Sequence, residues 1–428
     1  MKEELEKYFD RLWPLNRSLT GDGNRETLKI LSEITGINIS EIPSGTECFD
    51  WKVPEEWNVN EARITDSKGN KIIDYKDNNL HLLGYSESYS GKLDLSELRK
   101  HLFSLPGQPD SIPYLTSYYK KRWGFCMSDR QLRKLKEDTY EVLIDSEFDP
   151  SGSMTIGESM IKGDTDKEIL LSTYICHPSM ANNELSGPLV AAFINRELNN
   201  RKNLRYTYRT VFLPETIGSI YYLSVNGEFL KRELEAGFVI TCIGDNGKFT
   251  YKKSRRGDTL SDRAALLVLR EKGNEFNAED FFPTGSDERQ YCSPGFDLPV
   301  GSLMRTRYGK YEEYHTSADN KEFISFEAME ESVRTYIEIL DVIENNFTYI
   351  NQLPECEPQL GKRDLYPTLG SSKNTEEMVS SLMWVLNMSD GKNDMISIAE
   401  KSGLPFELLH RSALKLEESG LLKKSEEK

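Results

Sequence analysis

Two histidines and several carboxylates follow apolar stretches of this sequence, at the points where strands are predicted to end. His177 directly follows the stretch EILLSTYIC, and Glu184 comes seven residues later in a polar loop that leads into a helix. A neutral imidazole beside a carboxylate is typical of a divalent-metal site. Taken alone, His177 is more ordinarily interpreted as a loop histidine that is hydrogen-bonded to the backbone.

The same pattern recurs at three later positions. Glu215 ends an apolar run, where burial would raise its carboxyl pKa toward that of a general base. Asp245 ends another apolar run, and His315 lies in EEYHTSADN. Each has an ordinary alternative, as a helix-terminal glutamate, a turn aspartate or a loop histidine. Because open α/β sheets place their sites at the carboxyl ends of strands, the succession His, Glu, Asp, His predicts one shared site.

A further set of polar residues is predicted to line the substrate cleft. Asp287 and Arg289 follow a Gly-Ser turn in FFPTGSDERQYCSPGF, and Arg305, Arg307 and Tyr314 precede the second histidine. Arginine binds planar carboxylates and phosphates through paired hydrogen bonds. Surface ion pairs are the alternative interpretation of these charged residues.

The composition restricts the class of protein that carries these residues. The chain has 428 residues, with 54 Lys and Arg against 70 Asp and Glu and a formal net charge of −16. This acidity argues against nucleic-acid binding, which needs a basic surface. No apolar run approaches the roughly 18–20 residues that cross a bilayer, and the charged N-terminus lacks the apolar core of a secretory signal. With six scattered cysteines, we expect a cytoplasmic protein without a membrane partner.

An α/β domain is predicted to position the site residues. Between residues 138 and 346, apolar runs alternate with helical stretches, which is typical of a mostly parallel sheet covered by helices. The strand-like runs are YEVLIDSEF, EILLSTYIC, RYTYRTVFLPE and AGFVITCIGD. Residues 44–134 contain short alternating segments separated by Gly- and Asn-rich turns, which predict a small β-rich domain. Residues 3–37 predict two helices joined by the loop NRSLTGDGNRE, which is interpreted as structural.

The C-terminal tail has a different pattern. Residues 375–428 contain three helical segments, and ISIAEKSGLPFELLHRSALKLEESGLL has the layout of a winged helix-turn-helix. These residues include seven Lys and Arg against ten Asp and Glu. A DNA-binding domain needs basic side chains to neutralise the phosphates, and this tail is acidic. The tail is therefore predicted to be a docking or dimerisation module.

The order of the candidate residues resembles that of the zinc exopeptidases, the family of bacterial leucyl aminopeptidases and glutaminyl cyclases. The whole layout is more similar still to bacterial aminopeptidase-like proteins associated with polysaccharide biosynthesis. The matching stretches are LWPLNRSLTGDG, NNELSG, ETIGS, GSDERQYCSPGFDLP and EYHTSADN. The resemblance implies a three-layer α/β sandwich with a mixed, mostly parallel sheet, a small β-rich inserted domain and a winged-helix tail. The implied domains are residues 1–43 with 135–365, residues 44–134, and residues 366–428.

The resemblance also implies a zinc site. His177, Asp245 and His315 match metal ligands of the family, and Glu215 matches its general base. One zinc ion is then expected to polarise a carbonyl while the glutamate moves the proton.

Two positions depart from the family pattern. Asn183 stands where a bridging aspartate would lie, with Glu184 beside it as a substitute ligand, and Thr216 stands where a second glutamate ligand would lie. The resemblance therefore implies one zinc ion rather than two.

The expected function is zinc-dependent hydrolysis of an amide bond, aminopeptidase-like, in a small peptide or an acylated amino-sugar conjugate. The alternative is a non-catalytic regulator or scaffold that senses a ligand and binds a partner or DNA through its winged-helix tail. The expected partners are a small-molecule or peptide-like substrate and a second copy or another protein at the C-terminal domain.

Overall fold

The computed structural model describes residues 1–365 and 373–425, with the side chains of residues 373–375 left out. These residues form two compact units. The first comprises Met1–Ser261 and Glu275–Arg334, and the second comprises Asp262–Asn274 and Thr335–Lys428. Among the described residues, no helix is both long enough and apolar enough to cross a membrane.

A mixed sheet of eight strands forms the centre of the first unit. In spatial order its strands are Asn38–Pro43, Ser153–Ile161, Thr207–Leu213, Glu168–Tyr174, Leu234–Val239, Val300–Met304, Thr250–Lys252 and Asn277–Glu279. The four strands from Thr207–Leu213 to Val300–Met304 run parallel to one another. The carboxyl ends of these four strands therefore meet at one edge of the sheet, where the candidate residues follow them.

The third and fourth strands of this sheet are buried at every position. This is true of Glu168–Tyr174 and Thr207–Leu213, and it is the pattern of parallel strands covered on both faces. The longer helices of this unit are Lys2–Leu12, Asp22–Leu31, Ser186–Asn199 and Ile217–Glu233. The prediction of an α/β fold with a mixed, mostly parallel sheet is confirmed.

A smaller antiparallel sheet lies in the same unit. Its strands, in spatial order, are Lys71–Asp74, Glu56–Thr65, Thr139–Asp149 and Tyr89–Asp94. Two short pairs accompany it, Glu47–Cys48 with Trp51–Lys52 and Leu102–Phe103 with Phe125–Cys126. The short helices nearby are Asn79–His81, Leu95–Leu98, Arg99–His101 and Asp129–Lys134.

One strand corrects the predicted domain boundary at residue 134. The run YEVLIDSEF was interpreted as part of the large sheet, but Thr139–Asp149 pairs with Glu56–Thr65 and Tyr89–Asp94 in the small one. Its Tyr140, Val142 and Ile144 are buried while alternate positions are more open. Burial on one face is typical of an antiparallel sheet with a solvated side, and it distinguishes this strand from the fully buried parallel strands.

The second unit contains the winged helix-turn-helix. Helices Lys373–Met388, Met395–Ser402 and Phe406–Glu418 lie with a three-stranded sheet of Asp390–Asp394, Thr348–Asn351 and Leu422–Lys424. Gly403, with φ of 68°, ends the second helix in the left-handed conformation that glycine adopts without strain. The predicted three-helix tail is confirmed, while the predicted boundary at residue 366 lies outside the described residues.

Two long helices and two single turns accompany the sheets. Helices Leu260–Glu271 and Phe326–Glu344 each include residues of both units, Glu288–Tyr291 is a single turn in the first unit, and Gly361–Arg363 is a single turn in the second.

Candidate functional site

His177 and Glu215 meet at the carboxyl edge of the large sheet. They follow the neighbouring parallel strands Glu168–Tyr174 and Thr207–Leu213. The Nε2 atom of His177 lies 3.7 Å from Oε2 of Glu215. The strand order thus places an imidazole against a carboxylate, although the two residues are far apart in the sequence.

A buried carboxylate lies on the other side of the His177 ring. Oε2 of Glu184 lies 2.8 Å from Nδ1 of His177, and the Glu184 side chain is fully buried. Glu184 belongs to a single π-helical turn, Ala181–Leu185, a local irregularity that is frequent at functional sites. When Glu184 is ionised it accepts the Nδ1 proton, so that Nε2 presents its lone pair to Glu215. The contact gives Glu184 an orienting role towards His177, which is the usual role of a carboxylate beside a metal-binding histidine. Its tentative prediction as a metal ligand stays a prediction.

Arg17 supports this pair, and the sequence interpretation of its loop as purely structural missed it. Its buried guanidinium donates to the backbone oxygen of His177 at 3.2 Å and to that of Leu12 at 2.7 Å. Its Nε lies 3.5 Å from Oε1 of Glu184. Burial raises the pKa of Glu184, and the guanidinium opposes that rise. The only sequence signal for this role was the polar stretch NRSLTG that contains the arginine.

A strained turn aims Glu215 at the histidine. Thr216 has φ of 68° and ψ of −74°, and the N–H of Ile217 donates to the oxygen of Glu215 at 2.9 Å, which closes a three-residue γ-turn. Such a backbone costs about 1–3 kcal/mol and persists only where the surroundings hold it. Asp287 Oδ1 accepts from the Thr216 N–H at 2.7 Å, and Arg289 Nη2 donates to Thr216 Oγ1 at 2.7 Å.

The two residues that hold this turn were predicted to bind substrate. Asp287 is buried, and its Oδ1 also accepts from the Ser219 hydroxyl at 2.8 Å, so it is a structural support of the turn. Arg289 both supports the turn and lines the cavity beside Glu215. Burial, and then the nearby Asp287, raises the pKa of Glu215 to about 8, while Arg289 opposes the rise. A carboxyl with a raised pKa is suited to accepting and returning a proton near neutral pH.

The second histidine lies beside the first. The rings of His315 and His177 are 5.5 Å apart between centroids. Tyr314 stacks on His315 at 3.9 Å, and the Tyr114 N–H donates to the His315 backbone oxygen at 2.8 Å. Tyr314, predicted to bind substrate, thus orients the histidine ring.

The electrostatic state of both imidazoles favours metal binding. Burial lowers the pKa of His315 to about 3, with His177 adding to the effect, and burial with Arg17 lowers that of His177 to about 3. Both rings are therefore neutral. The buried Nε2 of His315 has no hydrogen-bond partner in the part of the chain that the structure describes.

Asp245, also predicted as a metal ligand, forms no group of three close metal donors among the described residues. Its Oδ2 accepts from Asn182 Nδ2 at 2.8 Å and from the Thr306 N–H at 3.0 Å. Its Oδ1 accepts from the Gly247 N–H at 2.6 Å and from the Thr306 hydroxyl at 2.7 Å. Four neutral donors occupy the carboxylate, so Asp245 connects three loops at the sheet edge.

The predicted cleft arginines are also held by the protein. Arg305 is buried, and it donates to Ser332 Oγ at 3.1 Å and to the backbone oxygens of Gly247 and Ala328. Arg307 lies 3.0 Å from the carboxylate of Glu279 and covers the ring of Phe282. Neither guanidinium lines the cavity beside Glu215, because partners elsewhere hold both.

Asn183 lies at the middle of the π-helical turn Ala181–Leu185. Asp319 accepts from the N–H groups of Asn182 and Asn183 at 2.6 and 2.9 Å, which fixes this loop. The Asn183 side-chain oxygen accepts from the Tyr174 hydroxyl at 3.3 Å. Its buried Nδ2 has no partner among residues 1–365 and 373–425. The amide carries no charge, whereas the resemblance implied a bridging aspartate at this position.

The two histidines are donors at this edge of the sheet that could hold a metal ion. Across the described chain, only Cys176, His177 and Glu184 form a group of three such donors lying within 4.8 Å of one another, and there Glu184 contacts the Nδ1 atom. The predicted set of His177, Asp245 and His315 forms no such group. Two neutral imidazoles are therefore available to a metal ion, and the buried Nε2 of His315 has no partner among the described residues.

A cavity of about 340 Å³ opens at these residues. His177, Cys176, Glu215 and Arg289 form its polar wall, and Trp51, Tyr118, Tyr119, Leu19, Thr216 and Ile217 complete it. Cys176 accepts from the Glu215 N–H at 3.2 Å, and burial raises the pKa of its thiol well above the usual value. The cavity thus offers a carboxylate, an imidazole and a guanidinium to a ligand, next to an aromatic wall.

Comparison with known families agrees with this architecture. A family model described as a domain of unknown function, DUF4910, matches residues 6–346, and a winged helix-turn-helix model matches residues 347–424. The chain belongs to the DUF4910 family. A relative from Clostridium acetobutylicum is 47% identical over 420 residues, which cover 98% of this chain and 96% of the relative. That relative is described as a polysaccharide biosynthesis protein with an aminopeptidase-like domain.

Solved structures extend the comparison for this DUF4910 protein. A Clostridium acetobutylicum crystal structure, described as a peptidase, has a TM-score of 0.93 and 45% identity over 99% of this chain and 96% of that one. A zinc aminopeptidase from Bacillus subtilis has a TM-score of 0.56 and 9% identity over 79% of this chain and 94% of that one. The second likeness shows the fold alone. The predicted aminopeptidase-like fold with a winged-helix tail is confirmed.

Proposed function

We propose that this chain hydrolyses an amide bond of a small peptide or an acylated amino-sugar conjugate, with one zinc ion bound at His177 and His315. The observation that carries the proposal is the convergence of Glu215 and His177 Nε2, 3.7 Å apart, on the wall of a cavity. The aminopeptidase fold and the biosynthetic description of the relative support the class of substrate.

The chain's own residues divide the work of this reaction. Glu184 and Arg17 orient His177, and Tyr314 orients His315, so that both Nε2 atoms stay available as ligands. When bound, zinc would polarise the substrate carbonyl and lower the pKa of the attacking water. Glu215 accepts the proton of that water at a carboxylate oxygen and returns it to the leaving nitrogen.

Two features of the cavity favour the proton transfer. The γ-turn at Thr216 fixes the position of the Glu215 carboxylate before substrate binds, which avoids the cost of ordering it later. The aromatic side chains of Trp51, Tyr118 and Tyr119 form one wall of the cavity. A substrate that covers this wall would displace its water, which strengthens the electrostatic interactions of the reacting groups.

The decisive experiment measures turnover and metal together. The wild-type chain, loaded with zinc, is assayed against aminoacyl 4-nitroanilides, dipeptides and N-acylated glucosamines. Glu215→Gln keeps the volume of the side chain but removes the proton acceptor, so turnover should fall about 10²–10⁴-fold with zinc content unchanged. Glu228→Gln, at a glutamate 86% exposed, is the matched control and should match the wild type. No turnover of any substrate by the zinc-loaded wild type, or full turnover by Glu215→Gln, would contradict the proposal.

A further inference from the structure

A second cavity, of about 390 Å³, adjoins the one beside Glu215. Tyr119 lines both cavities. Its ring contacts Trp51, which lines the first cavity, edge to face at 5.7 Å, and its hydroxyl donates to the backbone oxygen of Lys52, which lines the second, at 3.4 Å. A ligand that occupies the first cavity can therefore extend past Tyr119 into the second.

The walls of the second cavity are mainly apolar and include ring faces. Val53, Pro54, Phe148 and Pro150 contribute to them. Tyr119 is 53% exposed, which is unusual for a large aromatic side chain and leaves much of its ring available for contact. Flat apolar surfaces of this kind suit a ring-shaped ligand, whose faces carry C–H groups.

The charge of the second cavity is opposite to that of the chain. Lys52, Lys120 and Lys121 line it against a single acidic residue, Glu55, in a protein with a net charge of −16. Lys121 lies 3.7 Å from Glu55. Within the described residues, no ion pair holds the ammonium group of Lys52 or Lys120. Two lysines are thus free to bind an anion beside an apolar wall.

We propose that this second cavity binds an anionic, ring-bearing part of the substrate, a sugar that carries a phosphate or a carboxylate. The proposal rests on the hydrolytic function above, since it places the amide at Glu215 and the charged ring beyond Tyr119. The lysines supply the attraction for the anion, and the apolar walls supply contact for the ring. A neutral peptide would leave both lysines without a partner.

Binding can be measured separately from turnover. Calorimetry with N-acetylglucosamine 1-phosphate, glucuronic acid and neutral N-acetylglucosamine compares the two anions with an uncharged ring. We expect at least one anion to bind about tenfold or more tightly than the neutral sugar, and added salt to weaken it because part of the site is exposed. The anion that binds more tightly identifies the charged group as phosphate or carboxylate.

Two pairs of variants test the lysines. Lys52→Gln with Lys120→Gln removes both free cations and should weaken the anionic probe about tenfold or more, while binding of the neutral sugar stays unchanged. Lys68→Gln with Lys76→Gln changes the net charge equally at exposed positions that line neither cavity, and should weaken the anion less than twofold. The proposal would be overturned if both double variants lost the same affinity for the anionic probe. It would also be overturned if the wild type bound the neutral and anionic sugars equally tightly.

Glu215→Gln separates this proposal from the hydrolytic function. The variant should bind the anionic probe as the wild type does, because the second cavity is intact. Lysine-dependent binding without hydrolysis of any substrate would contradict the hydrolytic function while the anion site stands. The other outcome concerns the anion site alone. If the wild type and the double variant at Lys52 and Lys120 hydrolyse anionic sugar conjugates with the same preference over neutral ones, the anion site is overturned.

Discussion

The polar residues at the carboxyl edge of the large sheet form two groups with different hydrogen bonding. The histidine group, His177, Glu215 and His315, lines or adjoins a cavity, and the buried Nε2 of His315 has no partner within the described chain. In the aspartate group, Asp245 and Arg305, protein donors and acceptors occupy the polar atoms. Both groups follow apolar strands, and the sequence patterns around them look alike.

This difference in hydrogen bonding indicates which polar residues are available to bind a ligand. A buried polar atom without a partner costs roughly 1–3 kcal/mol, so a fold retains one mainly where a ligand or a reaction compensates. The saturated carboxylate of Asp245 stabilises the loops instead. The following predictions test this distinction, beginning with the largest expected effect.

Removal of either imidazole should abolish metal binding at the histidine group. His177→Ala and His315→Ala each delete one of two nitrogen ligands, so most of the bound zinc should be lost after dialysis, as measured by inductively coupled plasma mass spectrometry. His410→Ala, in the winged-helix unit, is the control and should retain zinc. If both site variants kept their zinc in full, the histidine group would not be the metal site.

Asp245→Asn should destabilise the fold without loss of zinc. The amide would direct N–H groups at some of the four donors that now surround the carboxylate, so the free energy of unfolding should fall by about 2 kcal/mol or more. Chemical denaturation measures this, with Asp166→Asn, at an aspartate 89% exposed, as the control. Normal stability with lost zinc would return Asp245 to the set of metal ligands.

Asp287→Asn should change the pH dependence of stability. Burial raises the pKa of Asp287 to about 6, above the value of about 3.9 in an unfolded chain. The folded state therefore binds this proton more tightly, and the resulting stabilisation is complete below about pH 4 and lost as the pH rises to about 6. The amide keeps the acceptor for Thr216 and carries no charge, so the variant should be more stable than the wild type at pH 8 and similar to it at pH 4.

Asp287→Ala distinguishes the charge from the support of the turn. Alanine removes the acceptor of the Thr216 N–H, so the Glu215 carboxylate should lose its fixed position and kcat should fall, while Asp287→Asn retains most of it. Two results would contradict the role of Asp287 as the support of the turn. In one, Asp287→Asn is less stable than the wild type at pH 8; in the other, Asp287→Ala has the same kcat as the wild type.

Asn183→Asp should have the smallest effect on metal content. A single restored carboxylate lacks companions, because Thr216 offers only a hydroxyl and the oxygens of Asp245 are occupied. Zinc titration should therefore still saturate at one ion per chain. A second equivalent at micromolar zinc would show that one carboxylate suffices and that the two groups are less distinct than their hydrogen bonds indicate.

Much of the fold followed from local patterns. The largely apolar and β-branched runs 168–174 and 207–213 indicated parallel strands, and the KSGLPF turn indicated the winged helix. The strand Thr139–Asp149 was assigned to the other sheet because an apolar run specifies a strand but not its partner. Short strands such as Asn38–Pro43 and Asn277–Glu279 were not predicted, since few residues carry their pattern.

The sequence by itself determined which residues stand at the ends of strands, because that depends on apolar runs and the polar residues that follow them. It therefore indicated His177, Glu215, Asp245 and His315 together. Only the tertiary structure decided which of them have polar atoms available to a ligand, because hydrogen bonds between distant loops occupy Asp245 and leave the Nε2 of His315 unpaired within the described chain. The same holds for Arg17, whose role depends on its burial against His177 and Glu184, more than 150 residues away in the chain.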